Sequence, residues 1–190
     1  MAGTISTGNY TIGSGTIYFC GSIGDQKVLG TSLQNSNYSL GNIVDTEMSL
    51  DVSYVDHYVS VDGKRIKDKS VAVTSVLQLN FTFDEMNQTN MQRFFLGTAS
   101  ASEIRVLQDT VAEGSAQLKV ETDIGQDMLY KIPKCTLKPD GALSLNDEDW
   151  HQAPMMLEVL QYTTGETAGN ATLNSSLLLI PFGAIDKSAL

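Results

Sequence analysis

Two long segments of alternating apolar and polar residues constrain the fold of this 190-residue chain more than any other feature. In the first, residues 46–56, the apolar residues of one parity are Met48, Leu50, Val52 and Tyr54. In the second, residues 71–83, they are Val71, Val73, Leu77, Leu79, Phe81 and Phe83. A period of two residues is typical of a β-strand with one dry and one wet face. At about 3.3 Å per residue the second strand would extend roughly 40 Å, well beyond the usual strand length.

A short amphipathic helix is predicted directly after the second segment. Its apolar residues at helical spacing are Met91, Phe94 and Phe95. Gly97 stands where a C-terminal cap belongs. The N-terminal cap is either Asp84 or a capping box from Thr82 to Glu85. We favour Asp84, because strand alternation still holds at Phe83.

The connection between the two long segments, residues 56–70, is predicted to be a long exposed loop. It contains the turn dipeptide Asp62-Gly63. Four of the twelve basic residues follow within six positions, namely Lys64, Arg65, Lys67 and Lys69. A connection of this length exceeds what a hairpin needs, and long exposed connections are often functional.

The rest of the chain adds shorter strands, so we predict one mainly β domain over residues 1–190. It would be a β-sandwich or barrel with two long antiparallel strands, the long inter-strand loop and one flanking α-helix. Residues 1–15 would form an N-terminal arm, and residues 163–190 a C-terminal extension or last strand. The further strand candidates are Thr16–Cys20, Glu103–Gln108, Gln117–Glu121, Asp127–Lys138, Ala142–Leu145, Pro154–Tyr162 and Ser175–Ala184. A parity slip at Pro133 predicts a bulge or a sheet edge there.

The charge balance argues against a surface that grips nucleic acid. The formal net charge is −10, from 22 acidic and 12 basic residues, whereas phosphate binding requires cations. A surface that nucleic acid passes without sticking stays compatible with this charge. No targeting segment is recognisable, so we expect synthesis in a cytosol. Cys20 and Cys135 would then be reduced, either as buried inert thiols or as partners in an interchain disulfide formed later.

No constellation of residues predicts an enzyme, a cofactor site or a metal site. His57 and His151 lie in polar segments without a recognisable nucleophile, and the glycine-rich stretches match neither phosphate-binding fingerprint. Asp147, Glu148 and Asp149 could chelate Ca²⁺ in principle. These three residues lack the glycine and distal glutamate of an EF-hand, so we interpret them as a solvated turn.

Several short motifs follow one another in a distinctive order. They are Gly15-Thr-Ile-Tyr-Phe19, Leu40-Gly41-Asn42 with Glu47, Phe83-Asp84-Glu85, Leu96-Gly97, Ile132–Gly141, and Leu143 with Asp149-Trp150. In this order and spacing, roughly residues 10–162 resemble the tail tube, or major tail, proteins of tailed bacteriophages. The segment after Thr163 lies outside the resemblance.

The resemblance implies a structural virion protein. In that family, hexameric rings stack into a hollow tube, the long strands of neighbouring subunits join into one barrel, and the long loop contacts the next ring. The tube is the conduit through which the genome reaches the host. The implied partners are further copies of the chain, the tail terminator, tape measure and distal tail proteins, and double-stranded DNA that passes without specific binding. The implied location is the virion tail after assembly in the host bacterial cytoplasm, with no membrane and no cofactor.

Two sets of residues acquire predicted roles in such a tube. The wet face of the long strands would line the channel, and the loop would join one ring to the next. The channel candidates are Glu47, Ser49, Asp51, Ser53, Thr74, Gln78, Asn80 and Thr82. The inter-ring candidates are Asp62, Lys64, Arg65, Lys67, Asp68 and Lys69. The channel set contains no cation. A cation in the channel wall would attract the phosphates and retard the DNA.

Other functions fit parts of the same pattern. An ordinary β-sandwich would expose its wet face to solvent. An adhesion or carbohydrate-binding β-domain would use exposed aromatic residues, for which Trp150 and Tyr162 are the candidates. The inner tube of a contractile injection system would share the fold, and the sequence does not separate contractile from non-contractile tails.

Overall fold

One antiparallel sheet dominates the computed structural model, which describes residues 12–124, 127–145, 150–163, 177 and 179–186. The strands are β1 (Ile12–Cys20), β2 (Ile43–Val61), β3 (Lys64–Phe83), β4 (Thr98–Ser100), β5 (Glu103–Arg105), β6 (Ala112–Ile124), β7 (Met128–Pro139), β8 (Ala153–Val159) and β9 (Ala184–Asp186). The helix is α1 (Gln88–Phe94). The sheet order is β1-β6-β7-β8-β3-β2, with β9 added beside β7, while β4 and β5 form a separate pair.

The predicted fold class is confirmed: the chain is mainly β, antiparallel and flanked by a helix. In the described part of the chain the sheet is not closed into a barrel. Its two end strands nevertheless approach each other, because a Cβ on Gly15 of β1 would lie 4.0 Å from Thr46 Oγ1 of β2. The sheet therefore curls around its core. The segment directly before β2 is hydrogen-bonded to β1, since Phe19 N donates to Tyr38 O at 2.8 Å and Leu40 N donates to Ile17 O at 2.9 Å.

The main core lies on the concave side of this curled sheet. Buried residues of β1, β3, β6, β7 and β8 form it together with Phe94 of α1, and the half-buried Ile43 of β2 packs against it. Leu79, Phe81 and Phe83 bring β3 into the same cluster. Pro133 sits in a bulge, as predicted, because two residues of β7 stand opposite Ser115 of β6.

A smaller cluster covers the other face of the sheet. It consists of Cys20, Val28, Leu33, Tyr162 and Leu177. The amide of Gln117 fastens the loop after β1 to the sheet, since its Nε2 donates to the carbonyl oxygens of Val28 at 2.5 Å and Gly30 at 2.7 Å. Both faces of the domain body are thus covered within one chain.

The helix begins later than predicted, because Asn87 and not Asp84 is its N-cap. The side chain of Asn87 accepts a hydrogen bond from the backbone N–H of Asn90 at 2.9 Å. Asp84 is engaged elsewhere, as its Oδ2 accepts from Asn42 Nδ2 at 2.7 Å. At the other end, Leu96 and not Gly97 has the positive φ, at 46°.

The predicted ends of the domain also change. Strand β1 begins at Ile12, so the proposed arm of residues 1–15 is shortened, and residues 1–11 lie outside the described residues. The strand predicted over Ser175–Ala184 is wrong where the structure describes it: residues 179–183 form a turn, and β9 follows it. The last strand of the C-terminal extension pairs antiparallel with Leu129–Lys131 of β7.

The predicted long loop of residues 56–70 is wrong. Strands β2 and β3 continue through this region and are separated by Asp62 and Gly63 alone. Both turn residues have positive φ, 50° and 76°, which is what a two-residue hairpin of type I′ requires. The charges that suggested a loop are cross-strand neighbours on a ribbon.

Candidate assembly surface on the long hairpin

The β2–β3 hairpin extends far beyond the domain body. Strand β8 pairs with β3 only from Leu77 to Phe83. From Lys64 to Val76, β3 has β2 as its one partner strand, and the outer edge of β2 has no partner strand in the described part of the chain. Unpaired N–H and C=O groups along such edges are a template for pairing with another chain.

The register of the hairpin brings the predicted channel residues onto one face, which we call the Glu47 face. Directly opposite pairs share a face of the sheet. The pairs within the predicted set are Glu47 with Asn80, Ser49 with Gln78 and Ser53 with Thr74. Asp51 stands opposite Val76, and Thr82 stands opposite Asp45. Near the body this face is half-buried at Asn80 and Thr82, and it is open to solvent at Glu47, Asp51 and Thr74.

The other face, the Leu50 face, joins the core at its base and then becomes uncovered. Its cross-strand pairs include Met48 with Leu79 and Leu50 with Leu77. Leu79 is 1% exposed, whereas Leu50, two residues along the partner strand, is 68% exposed. Met48 and Tyr54 on the same face are also exposed. We call Met48, Leu50, Val52 and Tyr54 the proximal patch.

A β-bulge at Val73 divides the hairpin into two halves of opposite polarity. Ser53 pairs with Thr74 but the next residue, Tyr54, pairs with Ala72, which leaves Val73 as the extra residue. Val71 therefore lies on the Glu47 face, and the interpretation that it shares a face with Leu77 and Leu79 is wrong. We call residues 43–54 and 72–83 the proximal half, and residues 55–71 the distal half.

The distal half carries a second exposed apolar surface, on the Glu47 face. Val55 stands opposite Val71, and Val59 stands opposite Ile66. Val55 and Val71 are 61% and 62% exposed. We call Val55, Val59, Val61, Ile66 and Val71 the distal patch. The patch was not predicted, because the apolar residues of β2 change from even to odd positions between Tyr54 and Val55 while the strand itself continues without a bulge. Two adjacent apolar residues are the sign of this change in the sequence.

The predicted inter-ring residues lie at the distal end of the hairpin, where local contacts neutralise part of their charge. Lys67 Nζ lies 2.7 Å from Asp56 Oδ1, and Ser70 Oγ donates to the same oxygen at 2.6 Å. Hydrogen bonds from Lys67 and Ser70 lower the pKa of Asp56, and the bond to Asp56 raises the pKa of Lys67. His57 Nδ1 lies 2.6 Å from Asp68 Oδ1.

The remaining predicted cations of this end are available for other contacts. The guanidinium of Arg65 lies 4.9 Å from the ring centroid of Tyr58. Lys64 and Lys69 form no salt bridge with an acidic residue in the described part of the chain. Both share the Glu47 face with the distal patch, opposite Val61 and His57.

Other candidate residues are not brought together into a site. Trp150 is exposed, but Tyr162 is buried in the smaller cluster, so the two aromatic residues do not form one surface. Asp147, Glu148 and Asp149 lie outside the described residues. In the described ranges, no three His, Cys, Asp or Glu residues are grouped so that they could hold a metal ion. Cys20 and Cys135 are free and buried, and burial raises the pKa of the Cys135 thiol.

Among the helices of the described residues, none has the length and apolar content needed to cross a membrane.

Comparisons with known proteins give a family and a structural neighbour. The model of a family described as "Protein of unknown function UCP028589" matches residues 6–117. No curated protein matches the sequence. A solved structure described as the tail of an empty GTA particle with C6 symmetry is similar at a TM-score of 0.37 and 13% identity, over 72% of this chain and 85% of that chain.

Proposed function

This chain belongs to the family described as "Protein of unknown function UCP028589", and we propose that it is a structural protein that assembles with copies of itself into the tube of a phage-like tail. The observation that carries the proposal is the long hairpin, which extends from the body and which the described residues leave uncovered on both faces and both edges over much of its length. The role we propose is structural and not catalytic.

A free hairpin of this kind is hard to account for in a protein that functions alone. Two-stranded ribbons are marginally stable in water unless other elements pack on them. Contiguous exposed apolar residues mark interaction surfaces in soluble proteins, and this hairpin exposes Leu50, Tyr54, Val55 and Val71. Neighbouring copies that place their hairpins edge to edge would satisfy the unpaired backbone groups and would remove the free edges by closing a wide barrel.

We further propose that the rings are hexameric and that their channel conducts the genome, as in the tail tube family that the sequence resembles. The Glu47 face of the proximal half supports this assignment through its composition, since carboxylates, hydroxyls and amides line it, with Val76 opposite Asp51 and without a cation. Double-stranded DNA carries one negative charge per roughly 1.7 Å of axis. A wall of this composition would stay hydrated and would not retain the DNA.

The channel assignment is tested by the double substitution Glu47→Lys and Asp51→Lys. In a channel wall the new cations would slow or block DNA exit from particles whose tails are intact. The matched control places the same charges outside the channel, as Glu113→Lys with Glu121→Lys on β6. Ejection kinetics equal to those of the control would remove the Glu47 face from the channel.

The distal end of the hairpin is proposed to contact the adjacent ring. Apart from Asp62 in the turn, its inter-ring candidates lie on a strand pair and not on a loop, so the contact would be made by a preformed ribbon. The partners proposed for the finished tube are the tail terminator, tape measure and distal tail proteins, as the resemblance implies. The inner tube of a contractile system is the alternative of the same class, and a sheath protein that copurifies with the tube would favour it.

Electron microscopy of the purified protein tests the assembly proposal most simply. We expect rings or tubes of constant diameter at high protein concentration, with sedimentation reporting the matching large species. A chain that stays monomeric at every concentration and salt condition would refute self-assembly. Aggregates of irregular width would also count against it, because closed barrels fix the diameter.

A further inference from the structure

The polarity of the hairpin reverses along its length, and this reversal limits how far a polar channel wall can extend. On the Glu47 face, the proximal half presents Glu47, Ser49, Asp51 and Ser53. On the same face, the distal half presents the distal patch. A ribbon that lined a water-filled channel along its whole length would expose this patch to water in every subunit, where apolar surface is unfavourable.

The bulge at Val73 is the structural cause of the reversal on β3. Strand β2 alternates without interruption from Asp45 to Val61, so its side chains keep their faces. The extra residue on β3 shifts Val71 across to the face of Val55, its directly opposite neighbour. Without the bulge at Val73, Val71 would remain on the Leu50 face. A second bulge, at Asp68, changes the parity of β3 again and places Ile66 on the Glu47 face opposite Val59.

We infer that the two halves of the hairpin bury opposite faces, and that the distal patch docks on a second copy of this chain. The inference rests on the proposed function. The proximal half would turn its Glu47 face to the channel and its Leu50 face to the protein wall. The distal half would leave the channel wall and would bury its Glu47 face against the next copy.

Charge complementarity identifies a second copy as the occupant. Residues 56–70 carry four basic and three acidic residues, so the remainder of the chain has eight basic and nineteen acidic residues, a formal net charge of −11. On the same face, Lys69 lies opposite His57 between the two apolar pairs of the distal patch, and Lys64 lies opposite Val61 at its end. An apolar surface that includes Lys69 and ends at Lys64 fits the acidic remainder of another copy, because opposite charges favour and orient such contacts.

Thiol accessibility tests the inference at two neighbouring positions of one face. Thr74 and Val71 both lie on the Glu47 face and are both exposed, on either side of the bulge. Val71→Cys and Thr74→Cys each add one accessible thiol, because Cys20 and Cys135 are buried. After assembly, we expect a water-soluble maleimide to label the Thr74→Cys tubes readily and the Val71→Cys tubes slowly. Equal labelling of both tubes would overturn the inference.

A pair of matched double substitutions tests whether burial of the distal patch stabilises the assembly. Val55→Thr with Val71→Thr keeps shape and strand propensity but places two hydroxyls in the distal patch. The control, Ser60→Thr with Ser70→Thr, adds the same residue type to the Leu50 face of the distal half. We expect the first pair to raise the protein concentration needed for assembly by about tenfold or more, and the control pair to leave it unchanged.

The outcomes separate the inference from the proposed function. If the unmodified protein does not assemble, both fail. If it assembles and the distal valine pair has no more effect than its control, the inference fails while the proposed function stands. An equal loss of assembly in both pairs would also overturn it, since the distal half would then be buried on both faces. Circular dichroism of the monomers checks that each variant is folded.

Discussion

Strand β3 lies in two different environments, and their contrast separates the part of the chain that folds into the body from the part that is proposed to associate. From Leu77 to Phe83 the strand lies between β2 and β8, and its apolar residues are in the core. From Lys64 to Val76 it has one neighbour, and apolar residues such as Val71 and Val73 face water. The same alternation of residue types therefore produces a core in one part and an uncovered surface in the other.

The difference shows that alternation specifies a strand and a face but not what covers that face. In the body, the covering layer is supplied by β6, β7, β8 and α1 of the same chain. In the hairpin, no described element of the chain supplies it. A substitution in the body should therefore change the folding of the monomer, and a substitution in the hairpin should change association.

The largest effect on monomer stability is expected for Leu79→Ala. Leu79 is buried in the core, and removal of a buried leucine side chain destabilises a protein by about 2–5 kcal/mol. Leu50→Ala removes the same atoms from an exposed position, where the free energy of unfolding should change by about 0.5 kcal/mol or less. Urea unfolding of both monomers measures the difference. Equal losses would contradict the division between body and hairpin.

A smaller effect is expected at the start of α1, which also belongs to the body. Asn87→Ala removes the side chain that caps the N–H of Asn90, so the free energy of unfolding should fall by about 1 kcal/mol. The control is Asp84→Ala, which loses an exposed contact with Asn42 and should lower the free energy of unfolding by less. A larger loss for Asp84→Ala would restore Asp84 as the helix cap.

The turn of the hairpin should respond locally and not globally. Gly63 has a φ of 76°, so Gly63→Ala places a Cβ in the left-handed region at a local cost of about 1 kcal/mol. Amide hydrogen exchange should accelerate near residues 58–68, while the urea midpoint of the monomer stays unchanged. A shift of that midpoint would mean that the distal half folds together with the body.

The smallest expected effect is the pH dependence of the distal half. Hydrogen bonds from Lys67 and Ser70 hold the pKa of Asp56 below its ordinary value. The folded state therefore binds this proton more weakly than the unfolded state, so the stabilisation is present above the ordinary pKa and disappears as the pH falls through the lowered one. Exchange in the distal half should accelerate at acidic pH, and Asp56→Asn should remove part of this dependence. Identical pH profiles would exclude Asp56 as the source.

Much of the fold could be predicted from the pattern of residues. The two long strands, the placement of the helix after Phe83 and the bulge at Pro133 follow from alternation and its interruptions. The order of the strands in the sheet could not be predicted, because pairing between distant segments depends on how their faces pack. The helix cap was misplaced because Asp84 and Asn87 are both good capping residues, and tertiary contacts with Asn42 decide between them.

The candidate surface was predicted in part. The polar residues of the Glu47 face were identified, and the register places them together. The long loop was predicted in error because the charged residues on both sides of Asp62-Gly63 were interpreted as part of a loop. Cross-strand pairs such as Lys67 with Asp56 accommodate these charges on an exposed ribbon. The distal patch depends on the two bulges of β3, at Val73 and Asp68, and an extra residue on one strand leaves no distinct mark in the sequence.

The central claim is that the body folds and the hairpin assembles, and a shortened hairpin tests it directly. Ser53 and Thr74 are directly opposite partners, so an Asp-Gly turn can join them in place of residues 54–73. We would measure the sedimentation of this variant beside that of the full chain under assembly conditions. We expect a folded monomer with the urea midpoint of the full-length monomer and no large species. Rings or tubes formed by the shortened variant at the same concentration as the full chain would contradict it.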